Sequence, residues 1–226
     1  MTDALRAQLQ SSLGAAYTIA RELAGGPAHH WYADFLAGRG RLEESLREMT
    51  RARELDPLSP IVHAESAWML ALLRRGDEAV ARIDELLRAD PSFGHAYFIR
   101  GLVLQSIGEH RAAIAAHRTA LELGGYYAFA CSALICAHAA AGEHDAAMRL
   151  FAALEERARR EHVPAFAFAL AHTGLGDLEQ AFTWLERAVE SRDELLAENF
   201  MDPLFDPLRG DARYGRVLAR LGASRG

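Results

Sequence analysis

The feature that most constrains this chain is a period of 34 residues. Gly40, Gly108, Gly142 and Gly176 fall on a grid with this spacing, and Arg74 occupies the grid point between the first two. Five residues after each grid point comes a small side chain: Ser45, Ala79, Ala113, Ala147 and Ala181. A fixed period of this length indicates an array of similar units, each burying its apolar face against its neighbours.

Each period predicts two helices joined by a short turn. We expect the first helices at about residues 28–39, 61–74, 95–107, 127–141 and 163–174. The second helices are expected at about 42–54, 77–89, 110–123, 144–160 and 177–190. The grid glycines permit the left-handed backbone that ends a helix. The small side chains predict packing slots, where anything larger would push the two helices of a pair apart.

The ends of the second helices also carry signals. Asp77, Asp145 and Asp177 stand at their starts, where a carboxylate stabilises the exposed N–H groups. Asp-Pro pairs end at Pro57 and Pro91, which are again 34 residues apart. Because proline cannot continue a helix, both pairs predict that a second helix has ended.

Together these residues resemble the tetratricopeptide family, whose 34-residue helix-turn-helix units have small residues at fixed slots and an Asp-Pro at the exit. The resemblance covers about residues 26–195 in five repeats. It implies an all-α fold, an α-α superhelix or solenoid of five helix pairs, with a protein-binding role. We expect a single repeat domain over 1–226, with a leading helix in 1–25 (at about 3–24) and a C-terminal cap at 196–226.

The segment from Met201 to Tyr214, MDPLFDPLRGDARY, looks like the closing segment of tetratricopeptide regions in bacterial regulators. Those regions often follow a winged-helix DNA-binding, cyclase or kinase domain, and have proline where Ala212 stands and phenylalanine where Tyr214 stands. Because no such domain precedes the repeats here, no DNA-binding or kinase role is expected.

Physically, this closing segment is predicted to be an end cap. Phe205 and Leu208 are expected to cover the apolar face of the last repeat. Asp211 is expected to cap a final helix, and Gly222 to end it.

In a superhelix of this kind the first helices form the concave wall. The positions expected to face it are His30, Trp31, Asp34, Ala64, Glu65, Trp68, Leu72, His95, Phe98, Ile99, Leu102, Phe129, Ser132, Cys136, Phe166, Leu170 and Thr173. Most are apolar or aromatic, and an apolar surface of this kind favours binding of an amphipathic or apolar segment of another protein. Trp31, Trp68 and Phe98 are the expected anchors. Two alternatives stay open: the aromatics form core, or the chain's own C-terminal segment fills the groove.

One tetratricopeptide subclass grips the C-terminal carboxylate of chaperone tails with Lys, Arg and Asn. The matching positions here are His30, Asp34, Glu65, His95 and Ile99, and the two acids would repel a carboxylate. The leading hypothesis is therefore a protein-interaction scaffold or adaptor. The rivals are a small-molecule or peptide sensor that relays to a separate regulator, and a homodimeric structural module.

Composition and missing motifs narrow the function further. The net charge of -6 argues against nucleic-acid binding, and all 25 basic residues are arginine, which suggests a high-GC bacterial genome. Without a long apolar run or a signal-peptide pattern, no membrane association is expected and a cytoplasmic location is predicted.

No catalytic motif or phosphate-binding loop is present, so we expect no enzyme. His30 and Asp34 could both ligate a metal, but with no third ligand we expect neither a metal nor a cofactor.

A few residues do not fit the repeat pattern. The spacing of Cys131 and Cys136 predicts buried thiols with no disulfide between them. His138 and His172 lie one repeat apart and could stack, but core histidines bonded to the backbone are favoured. Arg100 is expected to pair with a buried acid or, alternatively, to open toward a bound acidic group. The charged run at 155–161 predicts a solvated helix face.

Overall fold

The computed structural model describes residues 25–124 and 127–221. Every regular element in these ranges is helical. The elements are α1 (Gly26–Ala37), α2 (Leu42–Leu55), α3 (Pro60–Leu72), α4 (Gly76–Ala89), α5 (Gly94–Ser106), α6 (His110–Glu122), α7 (Tyr127–Ala140), α8 (His144–Ala158), α9 (Ala165–Leu175), α10 (Leu178–Ser191), α11 (Glu194–Asn199), the 3-10 helix η1 (Pro203–Leu208) and α12 (Ala212–Leu221).

Helices α1 to α10 form five antiparallel pairs, and their bounds follow the predicted ones closely. Each helix packs on the next one in the chain, and the first helices also pack on one another, α3 on α5 and α7 on α9. The predicted all-α solenoid is therefore confirmed. The predicted leading helix at 3–24 and the residue Gly222 lie outside the described residues.

The turns within the pairs have the expected backbone. The four grid glycines have φ between 74° and 83°. At the remaining grid point Arg74 adopts φ 60° itself, while Gly76 begins α4. A Cβ on Gly76 would lie 2.2 Å from Cγ2 of Ile107, so this glycine permits close packing rather than the turn.

The five small residues after the grid points are all fully buried, with an exposed fraction of 0 %. Ser45 also donates a hydrogen bond from its hydroxyl to the carbonyl oxygen of Ala33, 2.8 Å away on the partner helix. The predicted packing slots are confirmed, because a larger side chain would have no space there.

Phenylalanines form a continuous ladder along the inner side of the array. The ring centroids of Phe98 and Phe129 are 4.8 Å apart, and those of Phe129 and Phe166 are 4.9 Å apart. The next step reaches Phe205 of η1, whose ring lies 5.7 Å from that of Phe166. The closing segment therefore extends the core of the repeats beyond the last pair.

The closing segment is anchored by capping and by burial. Phe205 and Leu208 are fully buried, in the same core cluster as Phe166 and Leu170 of α9. The backbone N–H of Arg213 donates to Asp211 at the start of α12, at 2.8 Å. These contacts match the predicted cap.

The two out-of-pattern histidines differ from expectation. His138 Nδ1 lies 2.7 Å from Oε2 of Glu143, and His172 Nδ1 lies 3.9 Å from Oδ2 of Asp177. The prediction of histidines bonded to the backbone is wrong, because the turn after each first helix places an acid five residues beyond the ring.

The other irregular residues follow expectation more closely. Arg100 pairs with the acid Asp84 at 2.7 Å, as predicted. The side chain of Asp84 is 42 % exposed, so the prediction that the acid is buried is wrong. Both cysteines are buried free thiols, as predicted, and burial raises the pKa of Cys131 to about 11. Glu156 and Arg160 form one of the exposed i,i+4 pairs expected in the charged run. Within 25–124 and 127–221, no helix has the length and apolar character needed to cross a bilayer.

Candidate binding groove

A cavity of about 340 Å³ opens on the inner side of the array, between α1, α3, α5 and α11. Ten predicted groove residues line it: His30, Trp31, Asp34, Glu65, Trp68, Leu72, His95, Phe98, Leu102 and Phe129. Ile99, from the longer expected set, lines it as well. The repeat frame therefore brings side chains from four successive first helices to one cavity.

The cavity has a buried aromatic floor and an open rim. Trp68, Phe98 and Phe129 are each no more than 5 % exposed, so they are core residues with one face on the cavity. Trp31 differs, because its side chain on α1 is 57 % exposed. Its indole stacks on the ring of His30 with centroids 5.5 Å apart, which holds it at the mouth.

The remaining predicted groove residues lie outside this cavity. Phe166 and Leu170 are fully buried in α9, where η1 packs on them. The backbone N–H of Phe166 also donates to Oδ2 of Asp193, which caps α11. Ala64, Ser132, Cys136 and Thr173 are buried as well. The C-terminal segment therefore fills the far end of the concave face.

Helix α11 completes the cavity, and the repeat pattern does not predict it. Leu195, Glu198 and Asn199 of α11 also line the cavity. The helix reaches α1 so closely that a Cβ on Gly38 would lie 2.6 Å from the carbonyl oxygen of Ala197. The signal in the sequence is local: Asp193 accepts a hydrogen bond from the N–H of Leu195 and so starts a short helix after the last repeat.

The rim is acidic. Carboxylates enter from three helices: Asp34 from α1, Glu65 from α3 and Glu198 from α11. Burial raises the pKa of Asp34 well above its ordinary value, and the charges of Glu65 and Glu198 raise it further. The pKa of Glu198 is also raised, by burial and then by neighbouring glutamates.

Two histidines accompany these acids. His95 Nε2 lies 2.6 Å from Oε1 of Glu65, and His30 Nε2 lies 3.4 Å from Oδ2 of Asp34. Burial lowers the pKa of His30, so its neutral form is favoured at neutral pH. Among the described residues, no group of three side chains is arranged to hold a metal ion.

A second, smaller cavity of about 110 Å³ lies beneath η1. Asp202 lines it, and that side chain is only 1 % exposed. Its Oδ1 accepts a hydrogen bond from the N–H of Leu204 at 2.8 Å, while its buried Oδ2 has no partner in the described part of the chain. Burial raises the pKa of Asp202 to about 7. Nothing in the repeat pattern marks this carboxyl group.

Comparison with known proteins places the fold. No family model matches the chain, and no curated protein does. A segment of MamA from Desulfovibrio magneticus RS-1, residue 41 to the end, superposes with a TM-score of 0.53 at 18% identity, over 70% of this chain and 90% of that one. A tetratricopeptide repeat protein from Parabacteroides merdae ATCC 43184 superposes with a TM-score of 0.54 at 16% identity, over 97% of this chain and 88% of that one.

The chain has the tetratricopeptide-repeat fold. The shared fold fits the 34-residue grid and the helix pairs. In this tetratricopeptide array the concave face is divided in two, because η1 packs on α9 and covers that end, while the end near α1 keeps an open cavity that α11 borders. The resemblance of the closing segment to those of bacterial regulators stays a prediction.

Proposed function

We propose that this tetratricopeptide array is an interaction module that binds a short apolar segment of another protein in the cavity between α1, α3, α5 and α11. The observation that carries the proposal is the open cavity itself, with its aromatic floor and the exposed Trp31 at its mouth. A large apolar side chain left in water at the rim of a cavity is typical of a binding surface.

The size of the cavity limits what can bind. A volume of about 340 Å³ accommodates one or two large side chains, and a whole amphipathic helix would need a longer groove. The closing segment shortens the concave face by covering Phe166 and Leu170. We therefore narrow the expected ligand from an amphipathic or apolar segment of any length to a short segment with one or two anchoring side chains.

Trp31 is the residue through which the proposal is best tested. Trp68 is 5 % exposed and belongs to the core cluster, so replacing it would also disturb folding. Trp31 is mostly exposed, and covering such a side chain on binding is worth about 1.5–3 kcal/mol. In Trp31→Ala, affinity for a bound partner is therefore expected to fall about tenfold or more while the fold is kept.

The experiment is capture of partners from the source cells by immobilised protein, with Trp31→Ala beside the wild type. Met148→Ala is the matched control, since Met148 is 54 % exposed on a second helix and does not line the cavity. Circular dichroism checks that all three proteins are helical. The proposal fails if proteins retained by the wild type are retained equally by Trp31→Ala.

A small apolar metabolite is the second candidate, because the volume of the cavity lies at the lower end of the range of small-ligand sites. Here the array would sense the molecule and relay it to a separate regulator. A thermal-shift screen separates the two: stabilisation by a small molecule that Trp31→Ala abolishes, with no protein captured, favours the sensor.

A further inference from the structure

We infer that the segment bound in this cavity has an arginine or lysine beside its apolar anchor, so that the ligand is a basic-apolar peptide rather than a purely apolar one. The inference rests on the function proposed above, and it adds the chemistry of the partner.

Acidic side chains converge on the cavity. Asp34, Glu65 and Glu198 come from α1, α3 and α11, so the acidic character is shared between separate elements around the opening. No arginine stands among the lining residues in the described part of the chain. The cavity is therefore complementary to a positive group and repels an anionic one.

The histidines do not cancel this charge. His30 and His95 each face one carboxylate, Asp34 and Glu65 respectively. Burial lowers the pKa of His30, so this ring is neutral at neutral pH. Two histidines face two of the three carboxyl groups, and no histidine among the lining residues pairs with Glu198. The lining therefore keeps more acidic groups than basic ones.

Closing the cavity with a neutral segment would cost free energy. Glu65 has a side chain that is 17 % exposed, and that of Asp34 is 26 % exposed, so both still reach water. Each carboxyl group has one histidine partner, and its remaining polar surface is hydrated. An apolar segment laid over them would remove that water without replacing its hydrogen bonds, and such burial of a polar or charged group is unfavourable. A guanidinium or ammonium group placed there offsets this cost.

An aromatic surface lies at the same opening. The exposed indole of Trp31 stacks on His30 with a 21° interplanar angle, on the helix that carries Asp34. A cation over an indole face and beside a carboxylate gains from both contacts. The anchor of the ligand then occupies the floor at Trp68 and Phe98, while its basic group stays at the rim.

Proton release on binding is a signature of this arrangement. Burial and the charges of Glu65 and Glu198 raise the pKa of Asp34, which also faces His30. A bound cation favours the ionised carboxyl and lowers this pKa, so binding expels a proton wherever Asp34 was protonated. Affinity for the basic peptide is then expected to rise with pH through that titration, and the heat of binding to depend on the ionisation enthalpy of the buffer.

The test uses a random heptapeptide display library selected on the immobilised full chain. Enriched peptides are expected to combine arginine or lysine with an aromatic or large aliphatic residue. One enriched peptide is then synthesised with arginine and with its neutral analogue citrulline, and fluorescence anisotropy is expected to show about tenfold weaker binding of the citrulline form. Glu198→Gln is expected to reduce the ratio between the affinities of the arginine and citrulline forms. Glu186→Gln, exposed on α10 and outside the lining, is expected to keep it.

Each outcome has a separate meaning. Enriched peptides that are apolar without a basic preference, or that are acidic, would overturn the inference and leave the proposed function standing. A citrulline form that binds as tightly as the arginine form would also overturn the inference. The same holds if Glu198→Gln leaves the ratio of the two affinities unchanged. Peptides that bind Trp31→Ala as well as the wild type would overturn the proposed function itself.

Discussion

The substitution Asp202→Asn removes the titration of one buried carboxyl group and tests how burial of that group affects the stability of the closing segment. Burial raises the pKa of Asp202 from 3.8 to about 7 in the folded protein. The folded state therefore holds the proton more tightly than the unfolded state. The stability that this group contributes is complete below pH 3.8 and is lost as the pH rises through about 7. The difference between these two pKa values corresponds to a change of about 4 kcal/mol in the free energy of unfolding.

Asparagine keeps the oxygen that accepts the N–H of Leu204, at 2.8 Å in the wild type, but it does not titrate. The free energy of unfolding of Asp202→Asn minus that of the wild type is therefore expected to rise with pH. Between about pH 5 and about pH 8.5 the rise should be about 3 kcal/mol, most of the full amount. Urea denaturation followed by circular dichroism, at several pH values in this interval, measures it. The difference between the two proteins cancels the titration of the other groups.

Asp211→Asn is the matched control. Asp211 also accepts a backbone N–H at 2.8 Å, from Arg213, but Arg213 lowers the pKa of Asp211 to about 2. This carboxylate is ionised in both states throughout the interval, so its difference curve should be flat. A flat curve for Asp202→Asn as well would refute the reasoning, because Asp202 would then be ionised in the folded protein at no cost.

Three further perturbations test the packing. Ala113→Leu should destabilise the array by about 1–3 kcal/mol in urea denaturation, because the slot is 0 % exposed, while Ala115→Leu on the solvent side of the same helix should have little effect. Gly101→Ala would place a Cβ 2.3 Å from Cε1 of His117, so the free energy of unfolding is expected to fall by about 1–3 kcal/mol. This decrease should be smaller in a His117→Ala background. Both cysteine thiols are buried, so a thiol reagent should modify them only at the rate of unfolding, and fast labelling of the native protein would contradict their placement.

The repeats were predictable because their contacts recur at a fixed interval. A glycine or Arg74 at each turn and a small residue five positions later are local requirements, so they leave a periodic mark. The first helices stack in the same register, and for this reason ten predicted groove residues, from His30 to Phe129, meet at one cavity.

The closing segment was harder to predict, since its partners are far away in the chain. Arg74 bonds Asp206 across 132 residues, and nothing periodic marks such a contact. The same holds for Glu198, whose place at the cavity depends on how α11 folds back toward α1. The histidine partners were missed for another reason: the pattern identifies buried rings, but the acids Glu143 and Asp177 lie across a turn.

The contact between α11 and α1 has a mechanical consequence. An open solenoid behaves like a spring, since each unit contacts only its neighbours and the terminal units can unravel alone. Here α11 contacts α1, while η1 contacts α5 and α9. Through these contacts α11 and η1 link α1, the first described helix, to helices α5 and α9 later in the array. An array linked in this way is expected to resist extension along its axis. Loss of the contacts made by α11 and η1 would lower the stiffness of all the linked helix pairs together.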